Sequence, residues 1–153
     1  MKLRPIRAND DIDRLVEELA PAFGGETETA RALLRQTLDL LTRDPRPAPW
    51  GCYLASDGTD TVGTCAFKAA PDKDGVVEIA YMTFPMFERR GHASTMAGDL
   101  TRIALDAGVP MVVAHTLPEE NPSNKALKRN GFIFAGDVID PEDGPVWRWE
   151  RAA

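Results

Sequence analysis

Apolar residues recur along this chain in two periods, and the switches between them mark out the elements. Leu3-Arg4-Pro5-Ile6-Arg7 reads as a short first strand, with Pro5 placing it near a sheet edge or a strand start. Asn9-Asp10-Asp11 offers an N-cap. Ile12, Leu15, Val16 and Leu19 then follow at i, i+3, i+4 and i+7, the spacing of an amphipathic helix that Pro21 and Gly24-Gly25 end. A second helix is predicted from Glu28 to Arg43, with Leu33, Leu34, Thr37, Leu38 and Leu41 on one face. The proline-rich stretch from Asp44 to Pro49 reads as a stiff connector. Trp50 to Ser56 and Thr61 to Ala69 are strand-like around the turn Asp57-Gly58-Thr59-Asp60, which predicts a hairpin with a four-residue loop.

Further on, Pro71-Asp72-Lys73-Asp74-Gly75 turns the chain into a β-rich run from Val76 to Phe84, stopped by Pro85. After Gly91 the helical period returns through Met96, Leu100, Ile103, Ala104 and Ala107, until Gly108 and Pro110. Met111-Val112-Val113-Ala114-His115 is a continuous strand, apolar up to its last residue, as expected of one buried on both faces. Asn121 or Ser123 caps a short helix with Pro122 in its first turn and Gly131 at its end. Phe132 to Val138 and Pro145 to Arg151 are the last two strands, joined by the acidic loop Ile139 to Gly144. The order is β-α-α-β-β-β-α-β-α-β-β, an α/β class with a mixed sheet and one obvious strand–helix–strand crossover near the middle. A single domain spanning 1–153 is expected.

Composition narrows the classes. The 153 residues are 43% hydrophobic and 27% charged, the balance of a chain that folds around a core. The formal charge is −6, from 18 Lys and Arg against 24 Asp and Glu, so bulk charge gives no pull toward nucleic acid. No apolar run approaches the ~20 residues of a membrane span, and Met1-Lys2-Leu3-Arg4-Pro5 lacks the apolar region of a secretory signal. With two cysteines, a reduced cytoplasmic setting is expected, free of nucleic acid and membrane. His92 and His115 are the only histidines and stand far apart, so no metal site is expected. If Ser56 pairs with Thr61, Cys52 falls opposite Cys65. Two readings follow: a cross-strand redox pair, or two small residues filling the sheet interior.

The segment from Pro85 to Ser94 carries the most chemistry. Gly91 permits a tight turn, Ala93 and Ser94 keep the approach clear, and exposed amides at a helix N-terminus attract an anion. Arg89 and Arg90 add charge in the same turn. Two readings stand on these residues alone: a phosphate-binding loop, or an ordinary strand-to-helix turn with two solvated arginines. The segment is neither a Walker A loop nor Gly-x-Gly-x-x-Gly.

Pro85-Met86-Phe87-Glu88-Arg89-Arg90-Gly91-His92-Ala93 does resemble motif A of the GNAT acetyltransferase superfamily, which reads Gln/Arg-x-x-Gly-x-Gly/Ala. Glu120-Asn121-Pro122-Ser123 and Ala126 to Phe132 resemble its motif B region, nearest the ribosomal-protein-acetylating branch. Position 88, Gln or Arg in the pattern, is Glu here. The resemblance covers essentially the whole chain and implies the GNAT fold: a mixed, mostly antiparallel sheet of about seven strands with helices on both faces. It implies acetyl-CoA as co-substrate, with no metal, and a primary amine as acceptor. It also implies binding of the pantetheine arm along Met82, Thr83 and Phe84, and of the pyrophosphate on Arg89, Arg90, Gly91, His92, Ala93 and Ser94. Asn121 either hydrogen-bonds the pantetheine or caps its helix.

The resemblance further implies direct attack through a tetrahedral oxyanion, for which an amide near Met82 or Thr83 is the expected donor. Glu78, alone among apolar neighbours in its strand, is the leading general base, with His115 its rival. The tyrosine that many relatives carry just after the motif B leucine is replaced by Lys128, which leaves Ser123 as the substitute near the thiol, or as a helix cap. Lys125, Lys128 and Arg129 extend the basic side. Glu26, Glu28, Asp140, Glu142 and Asp143 form an acidic rim toward the acceptor, or a solvated surface. Trp50, Trp147 and Trp149 read as core. A monomer or a homodimer is expected. The alternative from another class is a non-catalytic acyl-CoA-binding module.

Overall fold

The computed structural model describes residues 1–153, and its elements follow the predicted order. They are β1 (Lys2–Ile6), α1 (Ile12–Leu19), α2 (Glu28–Arg43), β2 (Cys52–Ser56), β3 (Thr61–Phe67), β4 (Val77–Thr83), α3 (His92–Asp106), β5 (Met111–Thr116), α4 (Pro122–Arg129), β6 (Ile133–Asp140) and β7 (Gly144–Ala152). Two single 3-10 turns, Ala20–Phe23 and Pro85–Phe87, follow α1 and β4. The Asp11 side chain caps α1 by accepting from the Asp13 amide, and α1 buries Val16 and Leu19. Asn121, not Ser123, caps α4, accepting from the Asn124 amide at 3.0 Å.

All seven strands form one sheet in the order β1-β2-β3-β4-β5-β7-β6. Every neighbouring pair is antiparallel except β4 and β5. Strand alternation then sends successive side chains to opposite faces. Tyr53, Cys65, Phe67, Val77 and Ile79 join Met96, Leu100 and Leu127 in a core beneath α3 and α4. Cys52, Leu54 and Phe84 join Leu19, Leu34 and Leu38 in a second core beneath α1 and α2. The sheet is thus sandwiched between helices, and each face has its own apolar cluster.

The hairpin register departs from the expected one. Ser56 does pair with Thr61, but Ala55 pairs with Gly63, so a bulge absorbs Val62 and shifts every rung beyond it. Cys52 therefore faces Ala66, and Cys65 faces Tyr53. The cysteines lie in different cores on opposite faces, both free and buried. Burial pushes both thiols up, that of Cys65 to about 12. The redox-pair reading is overturned by this one-residue slip.

Gly63 has a local reason to be glycine. A Cβ there would stand 2.4 Å from the Met82 carbonyl oxygen, so the close approach of β3 to β4 needs a residue without one. The thiol geometry gives a direct check. Treatment of the folded protein with a mild oxidant is expected to leave both thiols titratable after unfolding; loss of two thiols in an intramolecular bond would contradict the register.

Candidate functional site between β4 and β5

β4 is paired with β3 along its length, from Ile79 with Phe67 to Thr83 with Gly63. β5 is likewise held by β7 from Met111 to Thr116. Between β4 and β5 the ladder has only three rungs, Val77–Val112, Glu78–Val113 and Ile79–Ala114. Beyond Ile79 the strands part. The Phe84 amide donates to the Val62 carbonyl, and the Glu78 carbonyl accepts from the Lys68 amide. Even-numbered residues of β4 thus turn their main-chain polar groups to β3. Odd-numbered ones, Tyr81 and Thr83, turn theirs into the gap. A cavity of about 680 Å³ opens there, walled by β4, the loop after it, and α4.

The loop makes the floor. Arg89 and Gly91 take left-handed backbone conformations, φ 67° and 82°, which bring successive amides round to one side. None of the amides from Arg89 to Ser94 finds an acceptor within the protein. They sit at the N-terminus of α3, where the helix dipole favours negative charge. The Nε2 atom of His92, on the cavity wall, is buried without a partner. Lys125 and Arg129 add cationic side chains from α4. Glu88 also lines the cavity, an acid among these cations. Free amides, an orphaned imidazole nitrogen and flanking cations together fit a phosphate-bearing group.

Two contacts hold this floor against α4. The Asn130 side-chain amide donates to the Ser94 and Ala126 carbonyls at 2.9 and 2.8 Å. Gly98 gives it room, since a Cβ there would lie 2.7 Å from Asn130 Oδ1. Neither residue stood out in the sequence.

On the other face of the sheet, flanking the last rung (Ile79–Ala114) before the strands part, Glu78 Oε2 meets His115 Nδ1 at 3.0 Å. These are the two expected bases, weighed as rivals, and the fold joins them. Lys68 Nζ lies 3.3 Å from the same Glu78 oxygen and 4.0 Å from Asp143. Burial works against the Lys68 charge, but Glu78, with Asp143 and Asp140 behind it, outweighs that and holds the ammonium above its ordinary range. The pair does not line the cavity itself.

Of the residues expected to meet the cofactor, Met82, Thr83, Arg89, Gly91, His92, Ala93, Ser94 and Asn121 border the cavity, as does Ser123. Phe84 does not: its ring is fully buried 5.0 Å from Phe23, and its amide is already bonded to Val62. The Arg90 side chain turns away to lie over the Phe87 ring at 5.4 Å, and Lys128 lies over Trp149 at 5.7 Å. By strand parity the Met82 amide faces β3, so the free donors near the expected oxyanion position belong to Tyr81 and Thr83.

Tyr81 was missed, although the alternation begun by Val77 and Ile79 already places it on the helix-covered face. Its hydroxyl lies 3.4 Å from the Ser123 carbonyl in the cavity wall, and burial pushes the phenol up to about 12. In the acidic rim, Glu26 accepts from the Thr29 amide and Asp140 from the Glu142 and Asp143 amides, which holds both below the usual carboxylate range. Those two carboxylates thus order their own loops. Trp149 is core, donating to Thr116 Oγ1 at 3.1 Å. No group of three or more His, Cys, Asp or Glu is placed to hold a metal ion, and no helix is long and apolar enough to cross a membrane.

A family model described as the acetyltransferase (GNAT) domain matches residues 1–133. Mycobacterium smegmatis RimJ, solved with CoA-disulfide, superposes with a TM-score of 0.74 at 16% identity, over 99% of this chain and 81% of that one. AAC(6')-Ib, solved with ribostamycin and coenzyme A, gives 0.73 at 17% identity, over 99% and 92%. A Salmonella typhimurium acetyl transferase that modifies the N-terminal serine of ribosomal protein L7/L12 gives 0.67 at 18% identity, over 99% and 94%. At such identities these likenesses carry the fold. No curated protein matches the sequence significantly.

The raised Tyr81 phenol has a consequence for stability against pH. The native state favours its neutral form, so its contribution is complete below the unfolded value of ~10 and is lost as pH rises toward about 12. Burial raises Tyr53 as well. The ultraviolet phenolate band of the folded chain is therefore expected to lag well behind that of the chain in denaturant, with the latest part absent in Tyr81→Phe. Coincident titrations would contradict the buried phenol.

Proposed function

This chain belongs to the acetyltransferase (GNAT) domain family, and we propose that it moves an acetyl group from acetyl-CoA to the primary amine of a small molecule or a peptide N-terminus, with both substrates bound at once. The observation that carries this is the parting of β4 from β5. It leaves the main-chain groups of Tyr81 and Thr83 free between an amide-lined floor and the Glu78–His115 pair.

Acetyl-CoA supplies the activated acyl thioester; the chain's residues supply placement and proton handling. The amides of Arg89 to Ser94, with Lys125 and Arg129, hold the phosphates. Tyr81 and Thr83 offer strand-like hydrogen bonds to the amide-bearing arm, as a partner strand would. Ser123 stands at the sulfur end. The acceptor arrives as an ammonium and must lose a proton before it attacks. The Glu78–His115 pair takes that proton: Glu78 fixes the proton on Nδ1, which leaves Nε2 as the accepting nitrogen. Both residues flank the end of the β4–β5 ladder, so the pair stands beside the opening through which an amine meets the arm.

The acceptor is assigned only as an amine. The solved neighbours include one protein solved with ribostamycin and one that modifies a ribosomal protein N-terminus, and neither branch is favoured. A non-catalytic acyl-CoA-binding module is the second reading, favoured by Glu88 in the cavity wall and by Lys128 at the motif B tyrosine position.

One variant separates these readings, and a second tests the phosphate site that both share. Glu78→Gln is expected to lower turnover on an amine panel by ~10²-fold or more with the fold intact, as read by thiol release. The binding module predicts no amine-dependent release in either protein. Gly91→Glu places a carboxylate on the floor and is expected to abolish coenzyme A binding in calorimetry; unchanged binding would put the phosphate site elsewhere.

A further inference from the structure

Acyl transfer from a thioester needs something to receive the charge that appears on sulfur, and the donors of the cavity wall differ in what already engages them. Asn121 caps α4 through its Oδ1, which accepts from the Asn124 amide and leaves the Nδ2 group as a donor. Lys128, at the position where a tyrosine was expected, lies over Trp149. Arg90 is turned onto Phe87. Tyr81 stands on the strand that borders the gap, and its ring is partly buried against the α3 core. Its hydroxyl has one protein contact, the Ser123 carbonyl at 3.4 Å. That is long for an O–H···O bond, whose usual distance is ~2.7–2.8 Å, so the proton is free to be redirected.

We propose that the Tyr81 hydroxyl donates a hydrogen bond to the departing sulfur of coenzyme A, taking the place in this chain of the absent motif B tyrosine. The role rests on the acetyl-transfer reading above. As the N–C bond forms, the C–S bond breaks and its electron pair stays on sulfur. The Glu78–His115 pair has passed the ammonium's first proton to solvent before attack and takes the second N–H proton as the C–S bond breaks, and the phenol O–H stays intact. Its magnitude decides this last point: burial sets the phenol at about 12, whereas a thiol lies near ~8.5. Full transfer from oxygen to sulfur is uphill, but donation to a thiolate in a desolvated wall is favourable. Ser123 Oγ, on the adjacent α4 turn, flanks the same spot.

The test reads the bound thiol directly. The ultraviolet band of the coenzyme A thiolate is titrated in complex with the wild-type chain and with Tyr81→Phe. The bound thiol is expected to ionise ~1 pH unit or more lower in the wild type. Equal values overturn the role. Acetyl transfer gives a second reading. Tyr81→Phe is expected to lose ~10–10²-fold in turnover with acetyl-CoA but little in kcat/KM with an aryl acetyl thioester, whose thiolate needs no help. Equal losses on both donors mark a merely structural tyrosine and overturn the proposal. If Tyr81→Phe fails to fold, 3-fluorotyrosine incorporated into Tyr53→Phe keeps the question open to refutation. Its more acidic phenol must lower the bound thiol's ionisation further, and no change overturns the role. A chain that acetylates amines without the Tyr81-dependent shift overturns this role alone. One that binds coenzyme A but acetylates no amine overturns the enzyme reading and this role with it.

Discussion

The site depends on one constraint: β4 and β5 are each committed to a different partner. β4 keeps its antiparallel ladder with β3 through Thr83, and β5 keeps its own with β7 through Thr116. Adjacent strands rotate against each other by roughly 20–25°, and a parallel pair that shares only three rungs has little to hold it shut. Two well-paired half-sheets joined along three rungs leave an opening at the C-terminal end of β4. Unsatisfied main-chain groups are costly inside a protein, so an opening of this kind is stable where solvent or a ligand can reach it.

The surrounding elements follow from that opening. Pro85 stops β4, and the left-handed residues Arg89 and Gly91 turn the chain so that α3 begins with its amides toward the gap. Asn130 and Gly98 lock α4 against α3, which fixes the cations Lys125 and Arg129 over the same floor. On the opposite face, the residues flanking the last rung, Glu78 and His115, stand side by side. One break in the sheet thus has an amide-lined floor with cations on one side and a carboxylate–imidazole pair on the other. That separation suits a reaction in which a phosphorylated donor and a cationic acceptor must not compete for the same charges.

Much of the fold was legible because its signals are local. The apolar spacing of α2 from Glu28 to Arg43, the start of α3 after Gly91 and its stop at Gly108 lie within single windows. The tight turn at Gly91 into α3 was legible for the same reason. What was not legible depends on register or on long-range choice. The bulge that absorbs Val62 moves Cys52 away from Cys65, and nothing in the turn sequence announces it. The Glu78–His115 bond joins residues 37 apart in sequence, so two rivals could not be seen as partners. Arg90 and Lys128 were counted toward the anion site by charge, but aromatic rings within reach claim them. Strand parity places Tyr81 on the α3 side with Val77 and Ile79, but no motif marks that position.

The central claim, that the gap between β4 and β5 receives the donor, is tested most directly by amide hydrogen exchange resolved to single residues, with and without coenzyme A. The account predicts that Met82 and Phe84 are protected in both states, because β3 already holds them. It predicts that Tyr81, Thr83 and the amides from Arg89 to Ser94 exchange readily alone and slow sharply when coenzyme A is added. Slowing centred on another part of the molecule, or equal protection of odd and even residues of β4 without ligand, would contradict it.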